Sequence, residues 1–177
     1  MPTVRRRLGA ACLGALLALG ALPAMAAGEL EKAQALWMQG QREPAQQMIR
    51  TALASNPNDA RLRFALATMQ MEQGQLAEAE RALLALTQDH PDLADPFNNL
   101  AVIRAGRGDL DGARDALEQA LRLQPEHAAA LENLGDVFVR LAARTYERAL
   151  PLASGDKQAL GLKLERSRAI LNLKPSS

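Results

Sequence analysis

The sequence predicts an all-α fold in which antiparallel helix pairs repeat along the chain as a solenoid, and three observations lead there. Pro57, Pro91 and Pro125 stand 34 residues apart. Three further series, Gly40/Gly74/Gly108, Ala45/Ala79/Ala113 and Ala33/Ala67/Ala101, keep the same step, and a fixed period in this range marks an array of supersecondary units. Ala, Leu, Gln, Glu and Arg are abundant and no run of alternating β-branched residues occurs, so helical periodicity dominates the chain.

The first 26 residues stand apart from the repeats. Arg5, Arg6 and Arg7 precede an uncharged apolar run from Leu8 to Leu22, and Ala24-Met25-Ala26 supplies small residues at a cleavage site, the pattern of a secretory signal peptide. The mature chain is therefore expected to begin at Ala27 and to be periplasmic. Membrane association is expected only if the signal stays uncleaved, and its apolar stretch is shorter than the ~20 residues that span a bilayer. Cys12 lies inside that apolar run and leaves with it, so the mature chain lacks cysteine and with it disulfides, thiolate catalysis and cysteine-ligated zinc. Its charge of 18 basic against 20 acidic residues does not fit a general nucleic-acid binder. The balance is uneven: residues 27–139 hold ten basic and seventeen acidic side chains, residues 140–177 eight basic and three acidic.

Each unit is punctuated in the same way. Gly40, Gly74 and Gly108 close the first helix of a pair, since glycine just past a helix end accepts the left-handed conformation without steric cost. Asn56-Pro57, His90-Pro91 and Gln124-Pro125 close the second, because a residue before proline is pushed out of the α region. Asp59, Asp92 or Asp95, and Asp109 are placed to cap the helices that follow, with Pro96 as a favoured first helical residue. The units run over about 28–57, 58–91 and 92–125.

Period and placement together resemble the tetratricopeptide repeat family, whose unit carries an aromatic, Leu-Gly, Tyr, then Ala, an aromatic and Pro. The third unit carries the resemblance best, with Phe97, Leu100-Ala101, Ala113, Leu117 and Pro125. The second keeps Leu66-Ala67, Ala79, Leu83 and Pro91 but has Arg63 at the aromatic position, and the first keeps Ala33, Leu36, Ala45, Ile49 and Pro57. Gln70 and Arg104 stand where the family usually has Tyr. The resemblance implies a right-handed α-solenoid in which the alanine series mark the close crossings of paired helices.

The fourth unit departs from the pattern. Leu131, Leu134-Gly135 and Phe138 begin a first helix, but Gly135 precedes Ala142 by seven positions where complete units have twelve, and the turn glycine is missing. A single fused helix from about His127 to Leu150 is expected in a shortened unit over 126–153, stopped by Pro151 and Ser154-Gly155, with a capping helix over about 156–171. Terminal caps of this kind keep solenoids soluble.

Little in the chain suits catalysis. His90 and His127, the only histidines, lie in inter-unit loops 37 residues apart without ligand partners at metal spacing, and neither a nucleophile elbow nor a phosphate-cradling glycine loop occurs. No enzyme activity, metal or cofactor is expected. In the family it resembles, the first helices line a groove for an extended peptide or a partner helix. By position that implies Arg61, Phe64, Thr68, Met71 and Glu72 from the second unit, Asn98, Asn99 and Val102 from the third, and Glu132, Asn133, Asp136 and Val139 from the fourth. Asn99 and Asn133 are 34 apart, and an amide can serve both the donor and the acceptor of a peptide backbone. The carboxylate clamp of one subclass is not expected, since Asp95, Val102, Glu132 and Asp136 stand where its cationic and amide groups would be needed. That favours a neutral, basic or apolar partner. Arg140, Arg144 and Arg148 form a basic stripe at four-residue spacing, suited to an acidic partner or an anionic envelope polymer, with a solvated helix face that also complements a helix C-terminus as the alternative. The expected function is a non-catalytic protein-binding adaptor of the cell envelope, with a chaperone-like accessory of export or of cell-wall or outer-membrane assembly as the alternative.

Overall fold

The computed structural model describes residues 22–171 and divides the chain into two units, Met1–Asn56 and Pro57–Ser177. Among the described residues of the first unit are α1 (Leu22–Met38) and α2 (Arg42–Ser55), which pack on each other. Gly40 turns between them at φ +78°, and Ala33 and Ala45 are completely buried, as close helix crossing requires. The Arg42 guanidinium lies 4.1 Å over the Trp37 ring and fastens the start of α2 to the end of α1. The helix reaches back to Leu22, so the expected cleavage point after Ala26 falls within α1, while residues 1–21 of the expected signal lie outside the described residues.

The second unit contains α3 (Ala60–Glu72), α4 (Leu76–Asp89), α5 (Ala94–Gly106), α6 (Leu110–Leu123), α7 (Ala128–Ala149) and α8 (Lys157–Leu171), with a 3-10 turn at Leu150–Leu152 before α8. Each helix packs on the next, and the odd-numbered helices also meet one another: α3 touches α5, and α5 touches α7. That second set of contacts brings three first helices side by side on one face. Gly74 and Gly108 turn at φ +77° and +83°, positions where a side chain would be strained. Ala67, Ala79, Leu83, Leu86, Leu100 and Ile103 form one apolar cluster across α3, α4 and α5. A second cluster, centred on Ala101, Ala113, Leu117, Ala120, Ala130 and Val137, joins α5, α6 and α7.

The caps agree with the sequence at two positions and differ at a third. Asp59 accepts from the Arg61 and Leu62 amides, and Asp109 accepts from Gly112. At α5, however, Leu93 is the cap residue and makes no side-chain bond, so neither Asp92 nor Asp95 caps this helix. Helix α5 begins one residue before Asp95, which leaves its carboxylate in the first turn, where it meets the His127 ring at 2.9 Å. His127 in turn caps α7, its Nδ1 accepting from the Ala130 amide at 3.2 Å. The fused helix runs from Ala128 to Ala149 without a break, since the five residues and the glycine that would have turned the chain are missing. Helix α8 then lies against α7, started by the Asp156 carboxylate, which accepts from the Ala159 amide, and burying Leu164 and Ser167.

Candidate partner-binding groove

The face shared by α3, α5 and α7 carries Thr68, Asn98, Asn99 and Asn133 of the residues singled out by position. A polar ladder crosses it: Asn133 Nδ2 donates to Asn98 Oδ1 at 2.9 Å, Asn98 Nδ2 donates to Asn99 Oδ1 at 3.2 Å, and Asn99 Nδ2 donates to Thr68 Oγ1 at 3.4 Å. The Thr68 hydroxyl itself donates to the Phe64 carbonyl at 3.0 Å. Asn98 is buried and Asn99 and Asn133 are half-buried, so these amides join three repeats to one another. Phe64 and Met71 pack against the α3–α5 cluster, and Arg61 sits beside Asp59 at 3.7 Å. Val102, Glu132 and Asp136 are exposed, and neither carboxylate has an ion pair or hydrogen bond among the described residues.

Between α5 and α7 this face opens into a pocket of about 250 Å³. Ala101, Val102, Ala105 and Gly106 of α5, Leu117 of α6 and Val137 of α7 give it apolar walls, and Asn133, Asp136 and Arg140 stand at its polar side. One period earlier, Met71 and Glu72 occupy the positions of Ala105 and Gly106, and Met71 fills its site by packing on the adjacent cluster. The pocket exists because small residues replace large ones at one step of the repeat.

Two family models, both described as tetratricopeptide repeat, match residues 36–97 and 98–157. The chain belongs to the tetratricopeptide repeat family. Among solved structures, YrrB, a tetratricopeptide repeat protein with an unusual peptide-binding site, is 28% identical at a TM-score of 0.55, over 60% of this chain and 55% of YrrB. The first repeat domain of Spaghetti (RPAP3), bound to the HSP90 peptide SRMEEVD, is 20% identical at a TM-score of 0.61, over 66% of this chain and 93% of the domain, a likeness of fold alone. In sequence, 95 residues are 30% identical to human protein O-mannosyl-transferase TMTC1, amounting to 54% of this chain and 11% of that protein. The chain therefore spans about a tenth of its curated relative.

Where tetratricopeptide repeats usually carry Tyr, this repeat protein has two different solutions. Arg104 reaches from α5 to the Gly112 carbonyl of α6 at 3.1 Å, whereas Gln70 leaves its Oε1 buried without a partner. The arginines of the expected stripe follow one side of α7 but are not equivalent. Arg140 donates to the Ala105 carbonyl at 3.3 Å, close to the negative end of α5, and Arg144 pairs with Asp111 at 2.8 Å. Arg148 is exposed and has no partner among the described residues. The Arg144 guanidinium, by its hydrogen bond first and its charge second, holds the Asp111 carboxyl below its ordinary range. Among the described residues no group of His, Cys, Asp or Glu is placed to hold a metal, and no helix is long and apolar enough to cross a membrane. The pocket walls, Ala101, Ala105, Gly106, Leu117 and Val137, were not among the residues singled out by position; the exchange of Met71 for Ala105 along the repeat is the signal that points to them.

Proposed function

We propose that this repeat protein is a non-catalytic scaffold of the bacterial cell envelope that holds a peptide or helix of a partner protein on the face made by α3, α5 and α7. The observation that carries the reading is the pocket between α5 and α7, open at its mouth and flanked by the exposed side chains of Val102 and Asp136. Its volume falls below the ~300–1,000 Å³ of small-molecule sites, a size that suits a single side chain of a larger partner. The peptide-binding site named for YrrB and the peptide bound by the RPAP3 domain support the same use of the fold. The envelope assignment rests on Arg5 to Arg7, the apolar run to Leu22 and Ala24-Met25-Ala26.

A test is crosslinking of the full chain in its native envelope, compared with a Val102→Arg variant that blocks the mouth of the pocket. Val102 is exposed, so the variant keeps the fold; the Asn99/Asn133 pair is a poorer choice because both amides tie helices together. Unchanged crosslinks in the variant would refute the groove assignment. Sequencing the processed N-terminus should find Ala27, and retention of Met1 in the membrane fraction would favour a tethered form. The second reading is a chaperone-like factor of envelope biogenesis, favoured by the exposed apolar side chains Leu131 and Phe138 on α7, half of whose surface remains in water. Many unrelated clients would support that reading, and one recurrent partner would support the scaffold.

A further inference from the structure

We infer that the groove, if the reading above holds, selects a segment in which an aliphatic side chain stands next to a lysine or arginine, and disfavours acidic or carboxylate-terminated peptides. The inference rests on that reading and adds the chemistry of the partner. Five apolar residues, Ala101, Val102, Ala105, Leu117 and Val137, wall the pocket, so its occupant must be apolar and compact. Burying an aliphatic side chain there removes its surface from water without asking any polar wall group to give up a bond.

The charge at the mouth decides what lies beside that anchor. Asp136 lines the pocket and Glu132 precedes it by one helical turn on α7, and both carboxylates are exposed and unpaired among the described residues. The one cation at the pocket, Arg140, donates to the Ala105 carbonyl, where the negative end of α5 already opposes its charge. The remaining polar group, Asn133, gives its Nδ2 to Asn98 and offers no net charge. An incoming carboxylate would face Asp136 and Glu132, and an incoming ammonium or guanidinium would complete them.

The test uses the full chain against random dodecapeptides displayed on phage, followed by fluorescence polarisation with the selected peptides synthesised and labelled. The expected result is enrichment of aliphatic–basic pairs, with binding weakened roughly tenfold by Asp136→Lys, more than by Asp136→Asn, and weakened further as salt rises. Val102→Arg should abolish binding of the same peptides. Asp136 and Val102 are both exposed, and helical circular dichroism of each variant confirms that the fold persists. Enrichment of acidic peptides that lose binding in Val102→Arg would overturn the inferred specificity and leave the groove standing. Peptides indifferent to both variants, or no enrichment at all, would overturn the groove reading and the inference with it.

Discussion

Truncating Asn98 tests whether the polar ladder is structural. Asn98→Ala removes the bond from Asn133 Nδ2 at 2.9 Å and the bond to Asn99 Oδ1 at 3.2 Å, at a position 7% exposed. Two neutral bonds at about 0.5–1.5 kcal/mol each put the loss at about 1–3 kcal/mol. The partners left behind are half-buried and can recover water, so the lower half of that range is expected. For a chain of this size the midpoint of thermal unfolding should fall by about 2–4 °C per kcal/mol lost. Circular dichroism of Asn98→Ala, Asn133→Ala and the double variant gives the cycle. Coupling of about 0.5–1.5 kcal/mol is expected between these two, because they share a bond. Effects additive within ~0.3 kcal/mol would refute the ladder as a tie between α5 and α7.

Three further outcomes are expected. Ala101→Leu, at a crossing where Ala101 is 1% exposed and Ala113 fully buried, should destabilise by ~1–3 kcal/mol through overpacking, and an unchanged melting midpoint would remove the close-crossing account of the alanine series. Gln70→Met keeps the volume and removes a buried, unpaired carbonyl oxygen, so urea unfolding should show a gain of about 1 kcal/mol; a loss would mean that the amide is satisfied. Because Arg144 holds the folded Asp111 carboxyl below its unfolded value of 3.8, the pair's contribution is present above that value and lost as pH falls through the folded one. Urea midpoints of Arg144→Gln should therefore fall less steeply below pH 4 than those of the parent, and parallel acid limbs would count against the pair.

The scaffold was legible because its signals are local. A positive φ at Gly74 or Gly108, a proline that stops a helix and an alanine at a crossing each act through one backbone position, so their spacing alone carries the architecture. The start of α5 was less legible, since Leu93 caps it without a side-chain bond and the Asp95-Pro96 pair sits one residue further in. The amides that join the repeats were singled out by position, but their part as ties between helices was not legible. Asn98 and Asn99 are neighbours on one helix, and which amide turns inward depends on the packing of α5 against both α3 and α7. The pocket is harder still, for it is made of missing volume between helices of different repeats, and only a comparison of Ala105 with Met71 one period away hints at it.

The positive charge of residues 140–177 also changes meaning once its partners are known. Helix α7 is a fused helix with no complete second helix of its own, so it lacks the usual partner across a turn glycine. Arg140 and Arg144 reach back to the Ala105 carbonyl and to Asp111, on the repeat before, and Arg168 of α8 pairs with Glu147. Arginine suits this work because a long stem spans between helices while its planar donors meet carbonyl or carboxylate oxygens. Each such exposed bond is weak on its own, yet three of them act where the regular repeat contacts stop. The basic tail is thus partly spent on anchoring the irregular end to the regular stack. Among the described residues of this tail, Arg148, Lys157, Lys163 and Arg166 are the cations left without partners, and an anionic surface would have to be read by them. Charge reversal at Arg144 reports first on anchoring, whereas Arg148→Glu isolates docking: loss of an acidic partner in Arg148→Glu at unchanged melting temperature would assign the stripe a binding role, and retention of that partner would leave it a structural one.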